Sequence, residues 1–211
     1  MQKEEKRKYP RTWLYSMFRP LASVLFRLIY PFKVIDRDKM RTPKAPYLLI
    51  ANHNSNFDAL VLAWLCPYEL YFLGKKELIR GRFTRWFLQD KLHMIPISRT
   101  DNDINAMRAC MNALKQGNVL CVFPEGTRQP DKLMERVEKG VALMAMRQKA
   151  DMVPVYIGGR PRLFRRNVAV VGDALLAADY PQGPYTDAKG DALCQAITET
   201  FLALQKKAGE G

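Results

Sequence analysis

The chain has 211 residues, of which 48% are apolar types and 26% are charged, and its formal net charge is +13 at pH 7. That length suits one domain, and that composition holds enough apolar mass to build a core, so a disordered chain is not the expected reading. So positive a charge requires a partner bearing phosphate or acidic groups: nucleic acid, an anionic membrane or a phosphorylated substrate.

The N-terminus opens on MQKEEKRKYPR, and residues 1–44 hold twelve Lys or Arg against four acidic residues. No small-residue cleavage site follows, so a secretory signal is not expected. Residues 12–30 have about the length of a bilayer span, but Arg19 and Arg27 leave charge-free runs of only seven residues. A spanning helix needs ~18–20 apolar residues, and an arginine at mid-bilayer costs ~2.5–3.5 kcal/mol. Trp13, Leu14, Phe18, Leu21, Leu25 and Leu28 recur at helical spacing, with Arg11, Arg19 and Arg27 interleaved. Residues 1–32 read as a basic amphipathic segment that either lies on an anionic membrane surface or packs on the domain formed by residues 33–211.

From there apolar runs alternate with turn signals as in an α/β fold, with a mixed, mostly parallel central sheet flanked by helices. Lys33–Asp36 is a short strand, and Tyr47–Asn52 is a buried strand leading to a helix from Asn56 to Leu65. Glu69–Gly74 is strand-like, Lys76–Asp90 helix-like, and His93–Pro96 a short strand. A helix over Asn102–Lys115 stops at Gly117, and Val119–Phe123 forms a central strand. Val137–Gln148 is helical, Met152–Ile157 and Val168–Val171 are strands, and Ala188–Lys207 is the last helix. Basic residues gather again over 74–99 and at Arg160, Arg162, Arg165 and Arg166.

Cys66, Cys110, Cys121 and Cys194 are scattered, with no Cys-x-x-Cys pair, so neither a metal site nor a disulfide framework is expected. Free thiols suit a reducing, cytoplasmic compartment.

Two short motifs carry the chemistry. NHNSNFD follows the strand YLLIAN and sets Asp58 five positions after His53. With His53 on the loop past a strand end and Asp58 in the first helical turn, the carboxylate can fold back onto the ring. It would then fix the tautomer and leave the other nitrogen as a general base. Ser55 to Asp58 also fits a capping box, in which Asp58 only closes the helix. His93 is taken as structural.

Phe123-Pro124-Glu125-Gly126-Thr127-Arg128 follows the strand VLCVF. Proline stops the strand and glycine permits a tight turn, which delivers Glu125 and Arg128 to a crevice rim. Arg128 suits a phosphate, and Glu125 suits a substrate hydroxyl or the positioning of Arg128. The alternative is a surface turn with a Glu–Arg ion pair.

Together, NHNSNFD and FPEGTR resemble the glycerolipid acyltransferase family, the glycerol-3-phosphate and lysophosphatidic acid acyltransferases. Gly74-Lys75-Lys76-Glu77-Leu78 with Ile95-Pro96-Ile97-Ser98-Arg99 resembles that family's second block, and Val153-Pro154-Val155-Tyr156-Ile157 its fourth. The resemblance runs from about Leu48 to Gly159, with one departure at Gln129, where the family often has serine.

The resemblance implies an O-acyltransferase of phospholipid biosynthesis that moves a fatty acyl group from acyl-CoA or acyl carrier protein to a hydroxyl of a lysophosphatidic-acid-like acceptor. Glycerol 3-phosphate or another lipid alcohol are the alternatives. It implies His53 as general base, Asp58 as its orienting partner, and Arg99, Glu125, Gly126, Thr127 and Arg128 at the headgroup, with Lys75 near the acceptor. No cofactor or metal is expected, and the chain is expected to sit peripherally on the inner face of the cell membrane. Two readings from other classes remain: a non-catalytic lipid-binding protein, and a nucleic-acid-binding domain suggested by Arg82-Phe83-Thr84-Arg85-Trp86. Nucleic acid is not the expected partner, because it leaves NHNSNFD and FPEGTR unexplained.

Overall fold

A computed structural model describes residues 13–98, 104–129 and 132–210, with the backbone alone for residues 13–16, 18 and 19. Arg11 and Arg99, and the side chains of Trp13, Leu14, Phe18 and Arg19, lie outside the described residues.

Seven strands form one sheet in the order β1-β7-β6-β2-β5-β3-β4. They are β1 (Phe32–Ile35), β2 (Leu48–Ala51), β3 (Leu70–Lys75), β4 (Met94–Ile97), β5 (Val119–Val122), β6 (Met152–Ile157) and β7 (Asn167–Val171). Strands β4, β3, β5, β2 and β6 run parallel; β7 turns back antiparallel to β6, and β1 follows β7. This is the mixed, mostly parallel sheet expected from the sequence.

Helices cover both faces, so the central strands read as unbroken apolar runs. The side-chain alternation sorts them into two cores. Leu48, Ile50, Leu120 and Val122 face a cluster built with α4 (Ile104–Lys115), α5 (Lys139–Gln148) and α6 (Asp187–Glu210). Leu49, Ala51, Val119 and Cys121 face the other cluster, built with α1 (Trp13–Val24) and α2 (Asp58–Leu65). All four cysteines are free thiols, and Cys66, Cys110 and Cys121 are buried as small apolar side chains.

Helix α1 runs on into a wider π-type turn at Leu25–Ile29. It packs through Ala22 and Phe26, and the Phe26 ring lies 5.0 Å from Trp64 and 5.8 Å from Phe32. On its outer side Met17, Leu21, Val24 and Leu28 stand exposed. Among the described residues no helix is long and apolar enough to cross a membrane.

The expected helix over Lys76–Asp90 is broken into three pieces: a 3-10 turn at Lys76–Ile79, α3 (Arg82–Arg85) and a π-type turn at Trp86–Lys91. Gly81 makes the break between the first two pieces: it takes an extended φ of −96° and ψ of 157° and donates its N–H to Thr84 Oγ1 at 3.0 Å. A mid-helix glycine costs up to about 1 kcal/mol against alanine, and here the chain uses it to stop and restart.

Candidate active site

The loops that leave β2 and β5 meet at the carboxyl edge of the sheet, because those two strands are neighbours. The first loop carries His53. Its Nδ1 lies 2.9 Å from Asp58 Oδ2, and its ring stacks on Phe123 with centroids 4.1 Å apart and planes 19° from parallel. Asp58 is fully buried, whereas 20% of the His53 side chain reaches solvent.

Asp58 makes both sets of contacts left open by its spacing. Its Oδ2 accepts the backbone N–H groups of Asn54 at 2.6 Å and Ser55 at 2.7 Å, and its Oδ1 accepts the Ser55 hydroxyl at 2.8 Å. These bonds wrap the loop around the head of α2 in the manner of a cap. They also hold the carboxylate still, placed to accept a hydrogen bond from Nδ1–H of the imidazole. The tautomer that donates at Nδ1 carries a free lone pair on Nε2.

The second loop braces the first. Glu125 is 2% exposed, and its two carboxylate oxygens accept the backbone N–H of His53 at 2.8 Å and of Met134 at 2.9 Å. Burial pushes its carboxyl above the ordinary value, against the opposing pull of the two N–H donors. Gly126 follows at φ +66°, a left-handed conformation that favours glycine, and closes the turn with its N–H on Phe123 O at 3.0 Å. Thr127 and Arg128 emerge exposed. The Arg128 guanidinium turns to Asn56 Oδ1 at 3.0 Å, so it is an asparagine of the first motif that orients it. The substitution at Gln129 leaves the loop intact, because its backbone N–H is what reaches His53 O, at 2.9 Å.

Two residues of this frame were not singled out in the sequence. Asn52 exchanges both side-chain bonds with Ile157, accepting its N–H at 2.8 Å and donating to its carbonyl at 2.9 Å. Asn54 donates to the same carbonyl at 2.9 Å. The asparagines on either side of His53 thus pin its loop to the end of β6. Their alternation with histidine in NHN was the available signal.

Lys75 ends β3 at the same edge, exposed, with β5 between it and β2. Arg99 lies two positions past the end of β4, outside the described residues. His93 precedes β4 at the opposite edge, where it stacks on Tyr71 at 4.7 Å and bonds Glu69 Oε2 through Nε2 at 3.2 Å. The described residues hold no group of three His, Cys, Asp or Glu that could bind a metal.

The sequence matches the family model described as Acyltransferase over residues 32–158. A 1-acyl-sn-glycerol-3-phosphate acyltransferase of Bacillus subtilis is 23% identical over 200 residues, covering 92% of this chain and 98% of that protein. One from Saccharomyces cerevisiae is 30% identical over 135 residues, 62% of this chain and 44% of that longer protein. The crystal structure of the lysophosphatidic acid acyltransferase PlsC from Thermotoga maritima has the same fold, with a TM-score of 0.74 over 95% of this chain and 80% of that one, at 20% identity.

Proposed function

This chain belongs to the acyltransferase family, and on that premise we propose that it transfers a fatty acyl group from a thioester to the free hydroxyl of lysophosphatidic acid at an anionic membrane surface. The observation that carries the reading is the His53–Asp58 pair: a part-exposed imidazole held at 2.9 Å by a fully buried carboxylate.

In this reading Nε2 of His53 removes the proton of the acceptor hydroxyl as its oxygen attacks the thioester carbonyl. The tetrahedral adduct collapses with cleavage of the C–S bond, and the imidazolium returns its proton to the departing thiolate. Buried Asp58 offsets the positive charge on the ring meanwhile. A positioned base of this kind is worth ~10²–10⁴ in rate. In this reading attack is direct, within a complex of both substrates, with no acyl-enzyme.

Arg128, Lys75 and Arg99 meet the acceptor phosphate, with Gly126 and Thr127 forming the backbone rim on which it rests. Glu125 supports that rim from below. The donor is acyl-CoA or acyl carrier protein. Residues 33–211 form the catalytic domain. Residues 1–32 hold it peripherally to the membrane, through the outward stripe of Met17, Leu21, Val24 and Leu28 and the basic residues around it.

Thiol release from acyl-CoA and acyl carrier protein donors tests this, with and without lysophosphatidic acid on anionic vesicles. Release should depend on the acceptor and vanish in His53→Ala. Release that persists in folded His53→Ala, or the accumulation of an acylated protein before turnover, would overturn it.

A further inference from the structure

The turn between β6 and β7, residues 158–166, projects from the carboxyl edge of the sheet, the edge that also carries His53. It is built rather than loose. Asn167 is 5% exposed; its Oδ1 accepts the Arg162 N–H at 2.8 Å, and its amide donates to the carbonyls of Arg162, Arg165 and Pro31 at 3.1, 3.0 and 3.3 Å. Two backbone bonds seat the hairpin against the end of the N-terminal helix: Phe164 N–H to Ile29 O at 2.7 Å, and Asn167 N–H to Pro31 O at 2.8 Å.

On this firm base the tip breaks two ordinary rules. Phe164 is 76% exposed, the highest value among the large apolar side chains described, and Leu163 beside it is 55% exposed. Phe164 also sits at φ +52°, a left-handed conformation that is an outlier for a bulky residue. Four arginines, Arg160, Arg162, Arg165 and Arg166, surround the pair, and the turn contains no acidic residue.

We propose that the 158–166 hairpin is a second membrane contact, in which Leu163 and Phe164 insert between the headgroups of an anionic bilayer while the four arginines bind lipid phosphates. Bare aromatic and aliphatic side chains ringed by cations match an interface that is apolar beneath and anionic above. The strained backbone aims Phe164 outward when glycine would sit there at lower energy. The stem reports directly to catalysis, because Ile157, which ends β6, accepts both asparagines that flank His53. It adjoins the helix stripe, since Phe164 N–H meets Ile29 O beside exposed Leu28, so the two widen one membrane-facing surface. The inference rests on the membrane reading above and assigns it a further surface.

Co-sedimentation with vesicles of 1:1 dioleoyl phosphatidylglycerol and dioleoyl phosphatidylcholine tests it, using the full chain. Wild type is compared with L163S/F164S, with the quadruple serine variant of the four arginines, and with F164G. The double variant should partition about tenfold less, a loss equal to ~1.4 kcal/mol. The arginine variant should lose its preference for phosphatidylglycerol over pure phosphatidylcholine vesicles. F164G should raise Tm by about 2–4 °C through relief of the left-handed strain, yet bind less. A fall in Tm together with binding would make Phe164 structural and overturn the proposal. Unchanged vesicle binding in every variant would also overturn it, as would a loss confined to retention on immobilised acyl carrier protein, which would mark a protein-docking surface. Wild-type turnover of short-chain substrates, monomeric and free of vesicles, separates this from the catalytic reading. Turnover beside unaltered vesicle binding refutes the hairpin alone, whereas absent turnover strikes the catalytic assignment alone.

Discussion

The backbone N–H of His53 donates to Glu125 Oε2 at 2.8 Å across a separation of 72 residues. The bond joins the two motifs at their structural level. One loop supplies the imidazole, the other a buried carboxylate that holds the imidazole's own backbone in place. With Gln129 N–H on His53 O at 2.9 Å, both backbone groups of His53 are claimed by the second loop. The position of the ring therefore depends on β2 and β5 lying side by side.

Asp58→Asn separates the charge of Asp58 from its bonds. The Oδ2 side accepts three N–H groups, from His53, Asn54 and Ser55, and an amide oxygen can take all three. The amide nitrogen then falls at Oδ1, where the Ser55 hydroxyl can turn to accept it. On the proposed mechanism the variant should keep wild-type stability while kcat drops ~10²–10⁴-fold, because the negative charge that would support the imidazolium is gone. Asp58→Ala instead leaves buried N–H groups without acceptors and should cost ~1–3 kcal/mol for each. Urea unfolding beside thiol-release kinetics checks both.

Glu125→Gln should act on stability with a characteristic pH dependence. A single amide oxygen cannot accept both the His53 and the Met134 N–H, so one donor faces the amide nitrogen, at ~1–3 kcal/mol. Burial raises the native carboxyl above its ordinary 4.5. Between 4.5 and that raised value the folded protein holds a proton that the unfolded chain has released, so the contribution of this group to stability falls as pH rises. Glutamine does not titrate. The stability difference between wild type and variant should therefore be largest in acid and shrink through that window, as read by unfolding midpoints at several pH values. A difference that grows with pH would refute the assignment.

Much of this arrangement was legible in the sequence because the central strands are buried on both faces. YLLIAN, VLCVF and MVPVYI stand out as apolar runs, and whatever follows such a strand lies at the sheet's carboxyl edge. His53 and Arg128 were found by that rule. The role of Glu125 was hidden, because its partners are backbone N–H groups that any residue offers. The Asn52 and Asn54 bonds to Ile157 were hidden for the same reason. Strand order was also hidden: β7 and β1 oppose the central strands, and no periodicity encodes direction. Gly81, by contrast, was a visible helix breaker inside the expected Lys76–Asp90 helix.

Arg128→Ala should separate binding from folding. The guanidinium is exposed and makes one described bond, to Asn56 Oδ1 at 3.0 Å, so its loss should move Tm little. A hydrogen bond to a charged partner is worth ~1.5–3 kcal/mol, which predicts a roughly 10–100-fold fall in kcat/KM for the phosphorylated acceptor. Arg128→Lys keeps the charge but not the planar fork, and should recover part of that loss. If kcat/KM for the acyl donor fell equally while the acceptor KM stayed fixed, Arg128 would belong to the donor side.

The N-terminal helix gives the last prediction, because its two sides should respond in opposite ways. Phe26 is 1% exposed against Trp64 and Phe32, and Phe26→Ala should cost ~3–5 kcal/mol of stability as a core truncation. Leu21 and Leu28 are 71% and 66% exposed on the outer side, so L21S/L28S removes little packing and should leave Tm nearly unchanged. If that side meets the bilayer, each leucine contributes a fraction of the ~1.5–3 kcal/mol of full burial, and the pair should lower partitioning onto anionic vesicles about tenfold or more. The remaining attachment should weaken further with salt, since it depends on arginine and lysine near charged headgroups. Calorimetry and vesicle sedimentation on the same two variants give the answer. Unchanged partitioning of L21S/L28S would mean that the helix only packs on the domain.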